Sequence, residues 1–199
     1  MRHHHDDASA VAEPVPDPVP LIVDLDGTLV DADTLHLSLA RLARERPWLL
    51  PALPFMVLFG RARFKDFVSD HVRLDPPSLP YRPDVMEFVK HQRACGRRIV
   101  LATAANKQIA DAVAQYLGVF DSVIASNRQH NAKADGKVAA IRAQLGDGEF
   151  DYIGDSMADV PVFCAARRSY LVCPSLELMS AIDGGARIER VFQTARRRR

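Results

Sequence analysis

The sequence predicts an α/β protein built on a doubly wound parallel sheet. Short apolar runs alternate along the chain with segments whose apolar residues recur at helical spacing, and this alternation is repeated four times. The apolar runs are nearly continuous instead of alternating with polar residues. Such runs are typical of strands that are buried on both faces of a parallel sheet, so the two observations indicate the same fold class.

The predicted elements follow one another in a regular order. The predicted strands are five apolar runs, at residues 21–25, 98–102, 122–125, 150–153 and 169–173. Each of the last four strands is preceded by a predicted helix, at residues 84–95, 106–117, 137–145 and 158–166. The first of these helices has Pro83 at its start and Gly96 after its end, and Gly118 follows the second, which is typical of helix boundaries.

One long segment, residues 33–82, interrupts this alternation. It contains helical patterns at 34–46 and near 62–72, on either side of the proline-interrupted run "PWLLPALPFMVLFG". A structureless connection of this length would be unusual inside a compact domain. We therefore expect a small helical insertion, or cap, that lies over the edge of the sheet.

Composition and charge set the remaining boundaries and exclude some classes of protein. The formal net charge of +1 gives the whole chain no electrostatic attraction to nucleic acid. The longest uncharged stretch, between Arg46 and Arg61, is too short and too broken by proline to span a bilayer, so we expect a soluble, cytoplasmic chain. The predicted divisions are a Pro-rich lead-in at 1–19, a core at 20–32 and 83–185, the cap at 33–82 and a basic tail at 186–199.

Carboxylates follow the first and the fourth predicted strands. Asp24 and Asp26 end the first strand in "LIVDLDGTLV", and Asp155 and Asp159 follow the fourth in "FDYIGDSMAD". Ligands of open α/β sheets bind beyond the carboxyl ends of the strands, and carboxylates brought together there repel unless a cation holds them. Mg²⁺ prefers oxygen ligands. The pattern predicts a magnesium site whose ligands are the side chains of Asp24 and Asp155 and the backbone carbonyl of Asp26. Asp159 has an alternative role, because a carboxylate at this position could simply begin the next helix.

Two further signals suit a phosphate group. Thr103, at the end of the second strand, offers a hydroxyl to a phosphate oxygen, and the amides that follow from Ala104 into the next helix favour an anion. Lys137 opens a later helix in "ADGK" and supplies a compact positive charge. Thr103 could equally cap the next helix, and Lys133 could replace Lys137. Because a carboxylate can itself act as a nucleophile, these residue types together predict phosphoryl transfer.

Four features occur in a fixed order along the chain: "DLDGT", a lone threonine at the end of the second strand, a lysine that opens a helix, and "GDSMAD". Together they resemble the four motifs of the haloacid dehalogenase-like hydrolase superfamily. The resemblance covers residues 21 to about 173 and implies a strand order of 5-4-1-2-3 with a helical cap after the first strand. It also implies that Asp24 is the nucleophile and that Asp26 is the general acid and base. Thr103 and Lys137 would bind the phosphate group. Asp24 and Asp155 would bind magnesium, with Asp159 as a supporting carboxylate.

Four other stretches resemble the soluble domain found ahead of UbiA-type polyprenyl transferases, which are membrane enzymes. These stretches are "RPWLLPALP", "LPYRPDVMEFV", "ATAANKQIADAVAQYLGVFD" and "VFCAARRSYLV". This finer resemblance implies a link to prenyl-lipid metabolism and association with a membrane or a membrane enzyme. It leaves open whether the chain stands alone or is the soluble part of a membrane fusion. We expect a magnesium-dependent phosphatase that acts on a small phosphate ester through an aspartyl-phosphate. The alternatives are a phosphotransferase or a catalytically idle docking domain for a membrane prenyltransferase.

Overall fold

Six parallel strands form one sheet in the computed structural model, which describes residues 19–126 and 135–193. The strands are β1 (Leu21–Val23), β2 (Ile99–Asn106), β3 (Ser122–Ser126), β4 (Asp151–Gly154), β5 (Arg168–Val172) and β6 (Ile188–Phe192). Their order in the sheet is β3-β2-β1-β4-β5-β6. This order confirms the predicted α/β class and the predicted order 5-4-1-2-3, with one strand added at the edge.

The added strand, β6, is a correction to the sequence prediction, which assigned residues 188–192 to a basic tail. Most of β6 is exposed, but Phe192 is buried and packs on Phe88, with 5.4 Å between ring centroids. The Arg190 guanidinium lies 4.4 Å from the centre of the Phe192 ring. An edge strand with one buried side chain and charged neighbours lacks the apolar run by which the other strands were predicted.

Eight α-helices accompany the strands in the described residues. They are α1 (Thr34–Glu45), α2 (Leu53–Leu58), α3 (Arg61–His71), α4 (Pro83–Ala94), α5 (Lys107–Leu117), α6 (Asp135–Leu145), α7 (Val160–Ala165) and α8 (Leu176–Ala181). Short 3₁₀ turns cover Pro47–Ala52, Pro76–Ser78 and Met157–Asp159. None of the described helices combines the length and the apolar character that crossing a bilayer requires. The predicted lead-in before residue 19, Lys133 and the terminal arginines lie outside the described residues.

The helices cover both faces of the sheet, as the continuous apolar runs predict. Leu21 and Val23 of β1 pack in the cluster that α4 and α5 complete, whereas Ile22 packs in the cluster formed with α6, α7 and α8. All three side chains of β1 are fully buried. A central strand with no exposed side chain holds its carboxyl end in one position, and the functional residues follow directly from that end.

The cap consists of α1, α2, α3 and the 3₁₀ turns near them, and two chain segments connect it to the sheet domain. The outgoing and returning segments pair with each other, since the Asp31 amide donates to the Pro80 carbonyl (2.8 Å) and the Arg82 amide donates to the Leu29 carbonyl (3.0 Å). The contact between Asn106 and Asp66 (2.8 Å) holds α3 against the end of β2. The cap therefore lies at the carboxyl edge of the sheet.

A buried ion network occupies the opposite edge of the sheet. The carboxylate of Asp151, the first residue of β4, accepts hydrogen bonds from Arg97 and from Arg167, whose Nε lies 2.9 Å from Asp151 Oδ1. The Asp151 and Arg97 side chains are both buried, and Arg97 also donates to the carbonyl of Val19 (2.7 Å). The network ties the start of β4 to the segments that precede β1 and β2.

Candidate active site

A cleft of about 440 Å³ opens at the carboxyl edge of the sheet, beneath the cap. The structure brings all seven sequence-predicted site residues to this cleft, and they are Asp24, Asp26, Thr103, Ala104, Lys137, Asp155 and Asp159. They come from four separate chain segments, and they converge because the ends of neighbouring parallel strands meet at one edge.

Asp24 lies at the bottom of the cleft, directly after β1. Its amide donates to the carbonyl of Ile153 in β4 (3.0 Å), which fixes the backbone, and its Oδ1 accepts a hydrogen bond from Lys137 Nζ (2.9 Å). Burial raises the pKa of the Asp24 carboxyl well above its ordinary value, Lys137 lowers it, and the neighbouring carboxylates of Asp159, Asp155 and Asp26 raise it further. The ionised form of Asp24 therefore needs positive charge beside it.

The carboxylates of Asp24, Asp155 and Asp159 each place an oxygen within 4.8 Å of the others. Burial and the charge of Asp159 raise the pKa of Asp155 to about 6, although Thr28, Lys137 and Arg82 oppose the shift. Hard oxygen donors at this spacing suit a divalent cation such as Mg²⁺. Two of these carboxylates, Asp24 and Asp155, are the side-chain ligands that the sequence predicts for Mg²⁺, and Asp159 is the third member of the cluster.

Gly27 and Thr28 hold the Asp155 carboxylate in place, a role that the sequence did not assign to them. Gly27 has φ of +75°, and a Cβ at this position would lie 2.0 Å from Asp155 Oδ2. The Thr28 hydroxyl donates to Asp155 Oδ1 (3.0 Å). The loop after Asp26 can therefore approach the end of β4 only with glycine at this position.

Asp26 faces the cap side of the cleft. Its Oδ1 accepts a hydrogen bond from the amide of Thr34, the first residue of α1 (2.8 Å). Burial raises the pKa of the Asp26 carboxyl, while the hydrogen bonds from Thr34 lower it and the charge of Asp33 raises it again. A carboxyl with a raised pKa can hold a proton and donate it to a leaving oxygen.

Among the described lysines, Lys137 is the one that lines the cleft, whereas the alternative Lys133 lies outside the described residues. The buried Nζ of Lys137 donates to Asp24 Oδ1 (2.9 Å), to Asp159 Oδ1 (2.8 Å) and to the Tyr152 hydroxyl (2.9 Å). Burial lowers the pKa of Lys137, but the charges of Asp24 and Asp159 outweigh this effect and raise the pKa overall. Lys137 is therefore a permanent positive charge next to Asp24.

Asp159 contacts Lys137 and its neighbours. Its Oδ1 accepts from the Tyr152 hydroxyl (2.8 Å) as well as from Lys137, and its Oδ2 accepts from the Ser156 hydroxyl (2.9 Å). Since these donors already use its oxygens, Asp159 orients Lys137, and Asp24 and Asp155 are left as the better metal ligands. Tyr152 looks like an ordinary strand residue in the sequence. The signal that could have identified it is that a buried tyrosine hydroxyl needs a partner.

Thr103 and Ala104 lie in the last part of β2, where the pairing of β2 with β3 shifts register between Thr103 and Asn106. The Thr103 hydroxyl oxygen accepts from the Ala105 amide (3.0 Å), which leaves the hydroxyl proton available to a phosphate oxygen. Thr103 does not cap the next helix, because Asn106 is the N-cap of α5 and accepts from the Gln108 amide (2.8 Å). The alternative that Thr103 is a helix cap is therefore wrong.

The cap contributes a lysine that sequence reasoning missed. Lys65 of α3 reaches the sheet domain, where its Nζ donates to the Ala104 carbonyl (2.6 Å), and its charge lowers the pKa of Asp26. A second cavity of about 140 Å³ adjoins the cleft here, and Asp26, Asp33 and Ala104 line both. Nothing in the sequence of α3 marks Lys65, because its contact depends on how the cap lies on the core.

Known proteins resemble this chain over most of its length. The family model described as haloacid dehalogenase-like hydrolase matches residues 21–163. The uncharacterized protein y4nM of Sinorhizobium fredii (strain NBRC 101917 / NGR234) is 34% identical over 165 residues, which make up 82% of this chain and 32% of that protein. The chain thus spans about a third of the length of this curated relative.

Three solved structures are similar in fold. A protein of unknown function from Bordetella pertussis Tohama I has a TM-score of 0.66 and 20% identity, over 86% of this chain and 97% of that one. A phosphoserine phosphatase in its apo form has a TM-score of 0.58 and 14% identity, over 88% and 94%. A phosphoserine phosphohydrolase-like protein from Francisella tularensis subsp. tularensis SCHU S4 has a TM-score of 0.55 and 16% identity, over 86% and 94%. At these identities the likeness is one of fold.

Proposed function

Because the chain belongs to the haloacid dehalogenase-like hydrolase family, we propose that it is a magnesium-dependent phosphatase that hydrolyses a phosphate monoester through a phosphorylated Asp24. The observation that supports this function best is the environment of the Asp24 carboxylate. Its carboxylate is buried, lies beside the Lys137 ammonium (2.9 Å) and shares a cation-sized space with Asp155. A carboxylate nucleophile for phosphoryl transfer needs these neighbours, because the attack brings two anions together.

The proposed reaction has two steps. In the first, an Asp24 oxygen forms a bond to phosphorus while the ester P–O bond breaks, and the Asp26 carboxyl gives its proton to the leaving oxygen. In the second, the Asp26 carboxylate takes a proton from a water molecule that attacks the phosphorus, which releases inorganic phosphate and frees Asp24. Lys137 neutralises the phosphoryl oxygens, and the Thr103 hydroxyl donates to one of them. Mg²⁺, held by Asp24, Asp155 and the carbonyl of Asp26, would supply electrostatic stabilisation of the transferring group.

The proposed substrate is a small phosphate ester from prenyl-lipid metabolism. This finer proposal is supported by the resemblance of four stretches of sequence to the domain that precedes UbiA-type transferases, and the same resemblance supports a place next to a membrane or a membrane enzyme. The full set of carboxylates and Lys137 in the cleft counts against an idle docking domain. A phosphotransferase would use the same first step and differ only in the acceptor.

Phosphate release from p-nitrophenyl phosphate, with Mg²⁺ and with EDTA, tests the proposal. Asp24→Asn keeps the shape of the side chain and removes the nucleophile, so turnover should fall by at least about 10⁴-fold. Asp111→Asn is the matched control, because Asp111 is an exposed aspartate that pairs with Lys107 on the surface (2.6 Å), and its activity should be unchanged. Substantial turnover by Asp24→Asn, with mass spectrometry excluding deamidation of the introduced asparagine back to aspartate, would contradict the mechanism.

The alternatives give different results in the same assay. An idle docking domain would release no phosphate from p-nitrophenyl phosphate or from a panel that includes prenyl and sugar phosphates. A phosphotransferase would phosphorylate an added alcohol, whereas a phosphatase yields inorganic phosphate alone.

A further inference from the structure

The middle of the cap exposes six large apolar side chains, and four of them are at least 60% exposed. Trp48 is 70% exposed, Phe55 63%, Leu58 82% and Phe59 60%. We refer to these four residues as the apolar tip. Isolated exposed apolar residues are common on protein surfaces, but a group of this kind within twelve consecutive positions marks an interaction site.

The packing of α2 turns three members of the apolar tip outward. Phe55, Leu58 and Phe59 have the spacing i, i+3 and i+4, so they share one face of the helix. Leu53 and Met56 are half-buried and lie on the other face, where α2 packs against α3 and the turn 47–52. The outward face is therefore not used to hold the cap together.

The segment of sequence that carries the apolar tip contains basic residues and no acidic ones. Between Arg46 and Arg63 the sequence contains three basic residues, counting both ends, and no acidic residue. Arg46 and Arg63 flank the tip with exposed side chains. Since the whole chain has a net charge of only +1, this segment is a local concentration of positive charge beside apolar surface.

We propose that the apolar tip inserts into the surface of a membrane that contains anionic lipid. Aromatic and aliphatic side chains next to basic ones bind at the boundary between headgroups and acyl chains, where a helix lies about 5–10 Å deep. Each nearby arginine adds attraction to anionic headgroups. A specific protein partner would need roughly 800 Å² on each side, whereas the tip consists of four side chains on two short helical segments.

This insertion would also orient the cleft. The tip's helix α2 packs on α3, and α3 carries Lys65, whose Nζ contacts the Ala104 carbonyl in the cleft (2.6 Å). The mouth of the cleft would then lie close to the bilayer surface. Insertion itself does not depend on the proposed chemistry, so its test is independent of phosphatase activity.

The single tryptophan of the chain provides a direct measurement, because Trp48 lies in the apolar tip. The full chain is mixed with phosphatidylcholine vesicles, with and without phosphatidylglycerol, and Trp48 emission is recorded. We expect a shift to shorter wavelength and quenching by brominated acyl chains with the anionic vesicles only, and weaker binding as salt is added. Vesicle binding through the terminal arginines alone would sediment the protein without shifting Trp48, and this result would overturn the proposal.

Two glutamate substitutions distinguish the tip from general surface hydrophobicity. Leu58→Glu should abolish the emission shift, whereas Leu176→Glu, at a residue that is 91% exposed on α8, should leave it intact. Arg46→Gln and Arg63→Gln should each weaken binding about fivefold. Equal effects of the two glutamate variants, or no shift of the intact chain at low salt, would overturn the proposal. A shift that appears without vesicles and grows with protein concentration would also overturn it, because it would indicate self-association.

Discussion

Gly27 is the residue where the backbone of one strand end comes closest to the side chain of another. Gly27→Ala would place a Cβ 2.0 Å from Asp155 Oδ2, so the loop or the carboxylate must move. Displacement of a catalytic group by about 1 Å can cost roughly 10²-fold in rate. We therefore expect kcat/KM on p-nitrophenyl phosphate to fall by about that factor. The Mg²⁺ concentration needed for half-maximal activity should rise.

Gly118→Ala is the matched control for this substitution. Gly118 also has a positive φ, +63°, but a Cβ there meets nothing within 4 Å. It should lower stability by about 1–2 kcal/mol through backbone strain and leave turnover unchanged. If both variants lost activity equally, contact with Asp155 would not be the cause.

Asp26 and Asp24 are separated by one residue but face different parts of the cleft. Asp26→Asn retains the oxygen that accepts from the Thr34 amide (2.8 Å) and removes the proton donor. We expect a loss of about 10²–10⁴-fold for alkyl phosphates and a smaller loss for aryl phosphates, whose leaving groups need less protonation. Steady-state rates on both substrate types measure the difference. The same loss on both would argue against Asp26 as the general acid.

At the scale of elements, β4 begins with the buried carboxylate of Asp151 and is followed directly by Asp155, the proposed metal ligand. Asp151→Asn weakens the network with Arg97 and Arg167 and leaves buried positive charge uncompensated, so we expect a loss of about 3–5 kcal/mol in the free energy of unfolding. Urea unfolding measures it. Turnover per folded molecule should be unchanged, because Asp155 lies at the opposite end of the strand.

The exposed pair on α5 serves as the comparison for this buried network. Asp111→Asn, which removes the surface contact with Lys107, should change the free energy of unfolding by less than about 1 kcal/mol. An equally small effect of Asp151→Asn would mean that the network contributes little to stability.

At the scale of the whole molecule, the cluster of carboxylates couples stability to pH and to metal. Burial and Asp159 raise the pKa of Asp155 to about 6, whereas an unfolded aspartate titrates near about 3.9. The folded state therefore binds more protons in this interval. The contribution of Asp155 to the free energy of unfolding is therefore most favourable below about pH 4, and this advantage is lost as the pH rises through about 6.

Asp155→Asn isolates this effect, because asparagine stays neutral at every pH in the range. In EDTA, the Tm of Asp155→Asn minus that of the native chain should increase between pH 4 and pH 7. In Mg²⁺ the difference should shrink or reverse, since only the native chain binds the ion well. A difference that is constant with pH in EDTA would show that Asp155 titrates normally in the folded chain.

The sequence by itself determined the fold class and seven of the positions that line the cleft, whereas the order of five strands came from the resemblance of its motifs to a known family. The fold class and these positions are local features, because an apolar run reports burial of its own strand, and polar residues directly after such runs must meet where parallel strands end. Asp24 and Asp155 could therefore be placed together without any knowledge of the packing between them.

Only the tertiary structure decided which side chains from other elements meet these residues. Tyr152 and Thr28 contact Asp159 and Asp155 through hydrogen bonds between groups that no local pattern relates. The same holds for Lys65, whose contact with the core depends on how the cap lies on the sheet. Packing likewise decided which side chains form the apolar tip. The sequence shows that the segment is apolar, but only the arrangement of the neighbouring helices determines which of its side chains are covered.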